Sequence, residues 1–173
     1  ILQERAALLA QVEVEDDTAK QYGREYIKFR LGEDELYGIA YANVADIRSI
    51  EGLTKVPNAP RYVLGVHYWH GKIIPVIDLA SYFGITATRQ PEGKTYLTTI
   101  TRGKFILGFL FDDVVGSDMY LENKIDANIV TDHRIKSDYV VGIHSGQVVI
   151  LNIHRIVDDI VHELMRDEVS NHE

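Results

Sequence analysis

Cysteine is absent from the 173 residues, so disulfide staples, thiolate nucleophiles and thiolate metal sites are all excluded. No apolar run approaches the ~20 residues that a membrane-crossing helix needs. Positive charge is scarce: 18 Lys and Arg stand against 26 Asp and Glu, a net charge of −8. A nucleic-acid binder needs a basic face that displaces counterions, and none is visible. The same sign of charge disfavours anionic membrane surfaces and direct membrane insertion. No glycine-rich loop leads from a strand into a helix to cradle phosphate, and no serine sits in a nucleophile elbow. His162-Glu163 begins like a zinc-protease helix, but Arg166 stands where the second histidine belongs. These absences predict a soluble cytoplasmic protein with no catalytic residue and no cofactor. The chain begins at Ile1 rather than Met, so an upstream segment is possible.

What the chain does contain is a recurring pattern. Tyr62-Val63-Leu64-Gly65-Val66-His67 returns as Tyr139-Val140-Val141-Gly142-Ile143-His144, 77 positions later. Ile74-Pro75-Val76-Ile77-Asp78-Leu79 is echoed by Val148-Val149-Ile150-Leu151-Asn152-Ile153, at an offset of 74. Tyr26, Gly38 and Val44 find counterparts 70 positions on in Tyr96, Gly108 and Val114. Self-similarity at this spacing signals a duplicated structural unit.

Each unit holds about five short strand-like runs, enough for a small antiparallel barrel without aggregation-prone edges. The expectation is therefore mainly β: two SH3-like five-stranded barrels in pseudo-twofold relation, with short helices at either end. The boundaries read as an N-terminal helix and acidic linker (1–24), a first barrel (25–90), and a second barrel with a C-terminal helix (91–173). The polar stretch Thr86–Lys94 is the joint. In the leading segment, Ile1, Leu2, Leu8, Leu9 and Val12 share one helical stripe, which must dock on its own body or on a partner. Periodicity leaves Ala42–Arg48 open between a helical turn and a strand. In the tail, Ile156, Val157, Ile160, Val161 and Leu164 form an apolar stripe, with Asp158, Asp159, Glu163 and Asp167 expected to face water. Glu33-Asp34-Glu35 and Asp112-Asp113 read as solvated turns.

The two units differ most in the central hairpin. The offset falls from 77 to 74 across it, so the first connection carries three extra residues within Tyr68–Lys72. Ser145-Gly146-Gln147 serves the second unit as an ordinary turn. Tyr68, Trp69 and His70 exceed what chain reversal needs, and such side chains recur at binding hot spots. Trp69 is either a surface contact or a plug over the barrel end.

Taken in order, several fragments resemble the CheW-like family, the adaptor proteins of bacterial chemosensory arrays. They are Tyr37-Gly38-Ile39, Val44 through Asp46-Ile47-Arg48, Val56-Pro57-Asn58-Ala59-Pro60, Gly65-Val66, Gly71 through Leu79, and the closing run Gly142–Ile153. The resemblance covers roughly residues 25–165. It implies two SH3-like barrels, and an adaptor bridging the cytoplasmic tip of a methyl-accepting chemoreceptor to the regulatory domain of a CheA-type histidine kinase. The expected partner-binding residues are Val44, Asp46, Arg48, Gly65, Tyr68, Trp69, His70 and Gly71. Competing local readings put Val44 in the core, pair Asp46 with Arg48 at the surface, and give Gly65 and Gly71 backbone duties. Where the family usually reads Asn-Leu-Arg-Gly, this chain has Tyr68-Trp69-His70-Gly71, so a forked guanidinium gives way to an imidazole. Two other readings are a metal-dependent hydrolase using His67, His70 and Asp78, and a regulatory module of a larger kinase.

Overall fold

The computed structural model describes residues 23–88, 95–128 and 134–170. The expected N-terminal helix, most of the acidic linker and residues 89–94 of the Thr86–Lys94 joint lie outside these residues. Among the described residues ten strands form two five-stranded sheets, so the fold is mainly β as expected. The first half supplies β1 (Arg24–Leu31), β2 (Glu35–Ala40), β3 (Val44–Ile50), β4 (Val63–Trp69), β5 (Lys72–Asp78) and the short α1 (Leu79–Phe83). The second half supplies β6 (Thr95–Arg102), β7 (Phe105–Leu110), β8 (Asp113–Tyr120), β9 (Val140–His144), β10 (Val148–Leu151) and α2 (Ile153–Ser170). The ambiguous Ala42–Arg48 run resolves into the end of a 3-10 turn, Tyr41–Asn43, followed by β3.

The sheet orders are β8-β1-β2-β10-β9 and β3-β6-β7-β5-β4. Replacing each strand by its repeat partner converts one order into the other, which is the duplication seen in three dimensions. The expected barrel boundaries need correction, however. Each sheet takes its first hairpin from one half and three strands from the other, joined by the parallel pairs β2–β10 and β5–β7. A cut at residue 90 would therefore divide both sheets. A second correction concerns closure. The chain beyond β3 returns to pair with β4 through Thr54 and Val66, and the chain beyond β8 returns to β9 through Asp126 and Ile143. Each sheet is thus curled round and joined by a single bridge instead of a continuous ladder.

The close approach at those bridges explains a repeated glycine. A Cβ on Gly65 would lie 2.4 Å from the Thr54 carbonyl oxygen, and one on Gly142 would lie 2.9 Å from that of Asp126. The hairpin registers also shift one expected match. Gly38 faces Lys28 whereas Gly108 faces Thr99, so β1 aligns with β6 at an offset of 71, not 70. Buried Tyr26 corresponds to buried Leu97, and Tyr96 is an exposed neighbour.

Strand alternation gives each sheet two apolar faces. The main core lies between the sheets and holds Phe29, Tyr37, Ile39, Ile77, Ile100, Leu107, Phe109 and Leu151. The inner face of each curl holds a smaller cluster, Tyr26 with Tyr120, Val148 and Ile150 in one, and Ile50 with Val76, Leu97 and Leu110 in the other. α2 closes the main core with Ile153, Ile156, Val157 and Ile160. Its acidic side is less free than the sequence suggests. Asp159 accepts from the Tyr139 hydroxyl at 2.7 Å, Glu163 accepts from Tyr62 at 2.8 Å, and Asp158 pairs with Arg102. Asp112 likewise is no solvated turn residue: it accepts the Gly32 and Thr88 backbone amides at 2.9 and 2.8 Å.

Candidate docking site

The three extra residues of the first hairpin do not enlarge its turn, as their spacing suggests; they lengthen its arms. β4 and β5 pair through Tyr68–Ile73 and Trp69–Lys72, leaving a two-residue turn, His70-Gly71. In the second unit pairing stops at His144–Val148, the positions matching His67–Ile74, and the turn has three residues. The first hairpin therefore projects two cross-strand pairs further. Its turn has positive φ at both central residues, +45° at His70 and +80° at Gly71. This is the primed geometry whose twist suits a tight hairpin.

Directly opposed residues share a face of the sheet. Ile77 points into the main core, so Pro75 and Ile73 continue that same face outward, with Val66 and Tyr68 opposite them. Near Ile77 the face is covered. At the tip it is bare: Tyr68 is 68% exposed and Ile73 is 72% exposed. The inter-sheet apolar face thus runs on, past the part that packs, to an uncovered Tyr68–Ile73 pair. Ile73 does not stand out in the sequence because it sits in a dense apolar run. Period-two alternation between inward Ile74 and Val76 and outward Ile73 and Pro75 was the signal that could have found it.

The other face of the tip carries Trp69, on the side of Ile74 and Val76. Its indole Nε1 donates to Asp46 Oδ2 on β3 at 3.2 Å. The same oxygen accepts from Arg48 Nε at 2.6 Å and is ion-paired with Arg48 Nη2. Arg48 Nη2 also lies 3.5 Å from His70 Nε2, and the Trp69 and His70 rings meet edge-to-face at 4.5 Å between centroids. Desolvation pushes the Asp46 carboxyl up, but the Arg48 and Trp69 hydrogen bonds outweigh it and hold it below its ordinary value. β3 and β4 are opposite edges of one sheet, so this cluster latches the hairpin tip to the far edge of the curl. Trp69 is half-buried and hydrogen-bonded across the mouth, intermediate between the free contact and the plug.

Four expected residues, Asp46, Arg48, Trp69 and His70, are therefore brought together, with Tyr68 exposed beside them. Three are not contacts of this cluster. Val44 packs against the main core, Gly65 makes room for the Thr54 carbonyl, and Gly71 serves the turn. The triad His67, His70 and Asp78 is not assembled. His67 opposes Ile74, His70 lies in the turn, and Asp78 sits at the far end of β5, where it accepts the Ser81 amide as the cap of α1. Among the described residues no group of three His, Asp or Glu side chains is close enough to hold a metal ion. No described helix is long and apolar enough to cross a membrane.

Comparison with known proteins gives this geometry a context. The family model of the CheW-like domain matches residues 25–161. The chemotaxis protein CheW of Thermotoga maritima is 30% identical over 146 residues, covering 83% of this chain and 93% of that protein. CheW of Helicobacter pylori is 33% identical over 102 residues, spanning 59% of this chain and 61% of the relative. Protein FrzA of Myxococcus xanthus is 29% identical over 93 residues, 54% of this chain and 57% of its own length. The crystal structure of the scaffolding protein TtCheW from Thermoanaerobacter tengcongensis superposes with a TM-score of 0.67 at 27% identity, covering 76% of this chain and 86% of that one. With the family model matched from the first strand into the last helix, the chain belongs to the CheW-like domain family.

Proposed function

We propose that this protein is a non-enzymatic cytoplasmic adaptor of a bacterial chemosensory pathway, coupling the cytoplasmic tip of a chemoreceptor to the regulatory domain of a CheA-type histidine kinase. The observation that carries the reading is the lengthened β4–β5 hairpin. A CheW-like domain needs no such extension to fold, since its second unit makes the same connection without one. Exposed aromatic and aliphatic side chains on a rigid two-stranded tip are suited to recognition, because little conformational entropy is lost when they are covered. At the tip Asp46 is engaged in structural bonds with Arg48 and Trp69, and His70 meets Arg48 and the Trp69 ring.

Isothermal titration of the purified chain against a receptor tip and a kinase regulatory domain tests this. The wild-type chain binds at least one of them. The double variant Tyr68→Ala/Ile73→Ser binds it at least about tenfold more weakly, with an unchanged melting temperature. Equal affinity of the two proteins would refute the hairpin as the docking element, and a lack of binding to either partner would refute the adaptor reading.

A further inference from the structure

The docking tip also has a polar character that its apolar pair does not supply. Between Val66 and Pro75 the chain carries His67, His70 and Lys72 and no acidic residue, on a protein of net charge −8. The Asp46 carboxylate is occupied: one oxygen accepts hydrogen bonds from Arg48 Nε and Trp69 Nε1 and is ion-paired with Arg48 Nη2. Arg48 is consequently fixed: Nε and Nη2 are held by Asp46, and Nη2 is also turned toward His70. Its Nη1 has no partner among the described residues, and its side chain remains 40% exposed. Lys72, directly opposite Trp69, is likewise unpaired among them. A guanidinium held in this way has already lost its rotamer freedom, so accepting a further ligand costs little ordering.

We propose that Arg48 is the carboxylate receptor of this docking surface, and that the partner wraps the hairpin tip, presenting an Asp or Glu on the Trp69 face while its apolar side chains cover Tyr68 and Ile73 on the other. The proposal rests on the adaptor reading and adds to it the chemistry of the partner. Asp46 and Trp69 are then positioning residues, since they aim the guanidinium without reaching the partner's carboxylate. The locally cationic tip also orients the encounter. An acidic segment is repelled by a protein of net charge −8 as a whole and attracted at this tip. Arg48→Lys is not equivalent, because an ammonium cannot hold Asp46 with one edge and offer another donor in a fixed direction.

Titrations with the receptor tip and the kinase regulatory domain, at low and high salt, test the assignment. Arg48→Gln weakens binding on the order of 10–100-fold and removes most of its salt dependence. Arg48→Lys recovers only part of the loss. In a double-mutant cycle, Arg48→Gln couples to one Glu→Gln or Asp→Asn substitution in the partner and not to the others. Circular dichroism confirms that each variant is folded. If Arg48→Gln binds within about twofold of wild type while Tyr68→Ala/Ile73→Ser does not, the carboxylate assignment is wrong and the docking surface stands. The assignment is equally wrong if no acidic residue of the partner couples to Arg48. If the wild-type chain binds neither probe, the adaptor reading fails and this inference with it.

Discussion

Tyr62 and Tyr139 hold the same place in the two halves of the chain and grip the same helix one turn apart. The Tyr62 hydroxyl donates to Glu163 and the Tyr139 hydroxyl to Asp159. Tyr82 joins them, hydroxyl to hydroxyl with Tyr139 at 2.9 Å and edge-to-face with Tyr62. Burial, followed by the Tyr82 and Asp159 hydrogen bonds, pushes the Tyr139 phenol well above its ordinary value. Tyr62 moves the same way, through burial and then Glu163. The repeat thus supplies two anchor points, and α2 spans them.

Removing the inner anchor is therefore costly. Tyr139→Phe leaves the ring in place but strips the Asp159 carboxylate and the Tyr82 hydroxyl of a partner. Urea denaturation should show a loss of about 1.5–3 kcal/mol, the range for a hydrogen bond to a charged group. Tyr62→Phe, whose partner Glu163 lies further along the helix, should cost less.

Glycine substitutions should separate two kinds of constraint. Gly65→Ala must place a methyl group 2.4 Å from the Thr54 oxygen at a φ of +155°. Strain and displacement of the bridge together should cost about 3 kcal/mol or more, with loss of cooperative unfolding as the extreme outcome. Gly84→Ala, at a φ of +72° with open space around it, should cost only about 1 kcal/mol. Equal melting temperatures for the two variants would contradict the crowding at Thr54.

Stability should fall on mild acidification through His154. Burial, then the Arg102 guanidinium, lowers its pKa below 6.5, against a smaller raising effect from Asp158. Its Nε2 is buried without a hydrogen-bond partner. The folded state holds the imidazole neutral while the unfolded chain takes up a proton, so the contribution is complete above pH 6.5 and is lost as pH falls through the folded value. His154→Gln should flatten the melting temperature between neutrality and about pH 5. An unchanged slope would mean that His154 is not its source.

The latch at the hairpin mouth gives a second acid dependence at lower pH. The depressed Asp46 pKa means that its contribution is present above 3.8 and is lost as pH falls below that value. Trp69→Phe, which removes the indole donor and keeps most of the ring, should raise the Asp46 pKa toward its ordinary value and increase hydrogen exchange at the β4–β5 tip. NMR titration of the carboxyl carbon reads the first effect. An unmoved Asp46 would show that Trp69 does not hold it.

Much of this protein was legible from residue order alone. The strand count and the unusual hairpin rest on patterns within a few residues of each other, and the duplication and its two glycines on the return of such local patterns 70 to 77 positions later. A positive-φ turn favours glycine at Gly71, and alternation of apolar side chains marks the strands whatever they pair with. Pairing itself was not legible. That β2 runs beside β10 and β5 beside β7 depends on which apolar faces bury each other once the chain has collapsed, and either half could have kept its own hairpin without changing a single local preference. The same non-local packing gave Asp159 and Glu163 tyrosine partners, brought Asp46 from one sheet edge to Trp69 on the other, and left Ile73 bare where its neighbours are covered. Sequence determined the elements and their repetition, because those follow from short-range geometry. Only the tertiary structure decided which strands share a sheet and which side chains meet at the docking tip, because those depend on competition among distant surfaces for the same buried space.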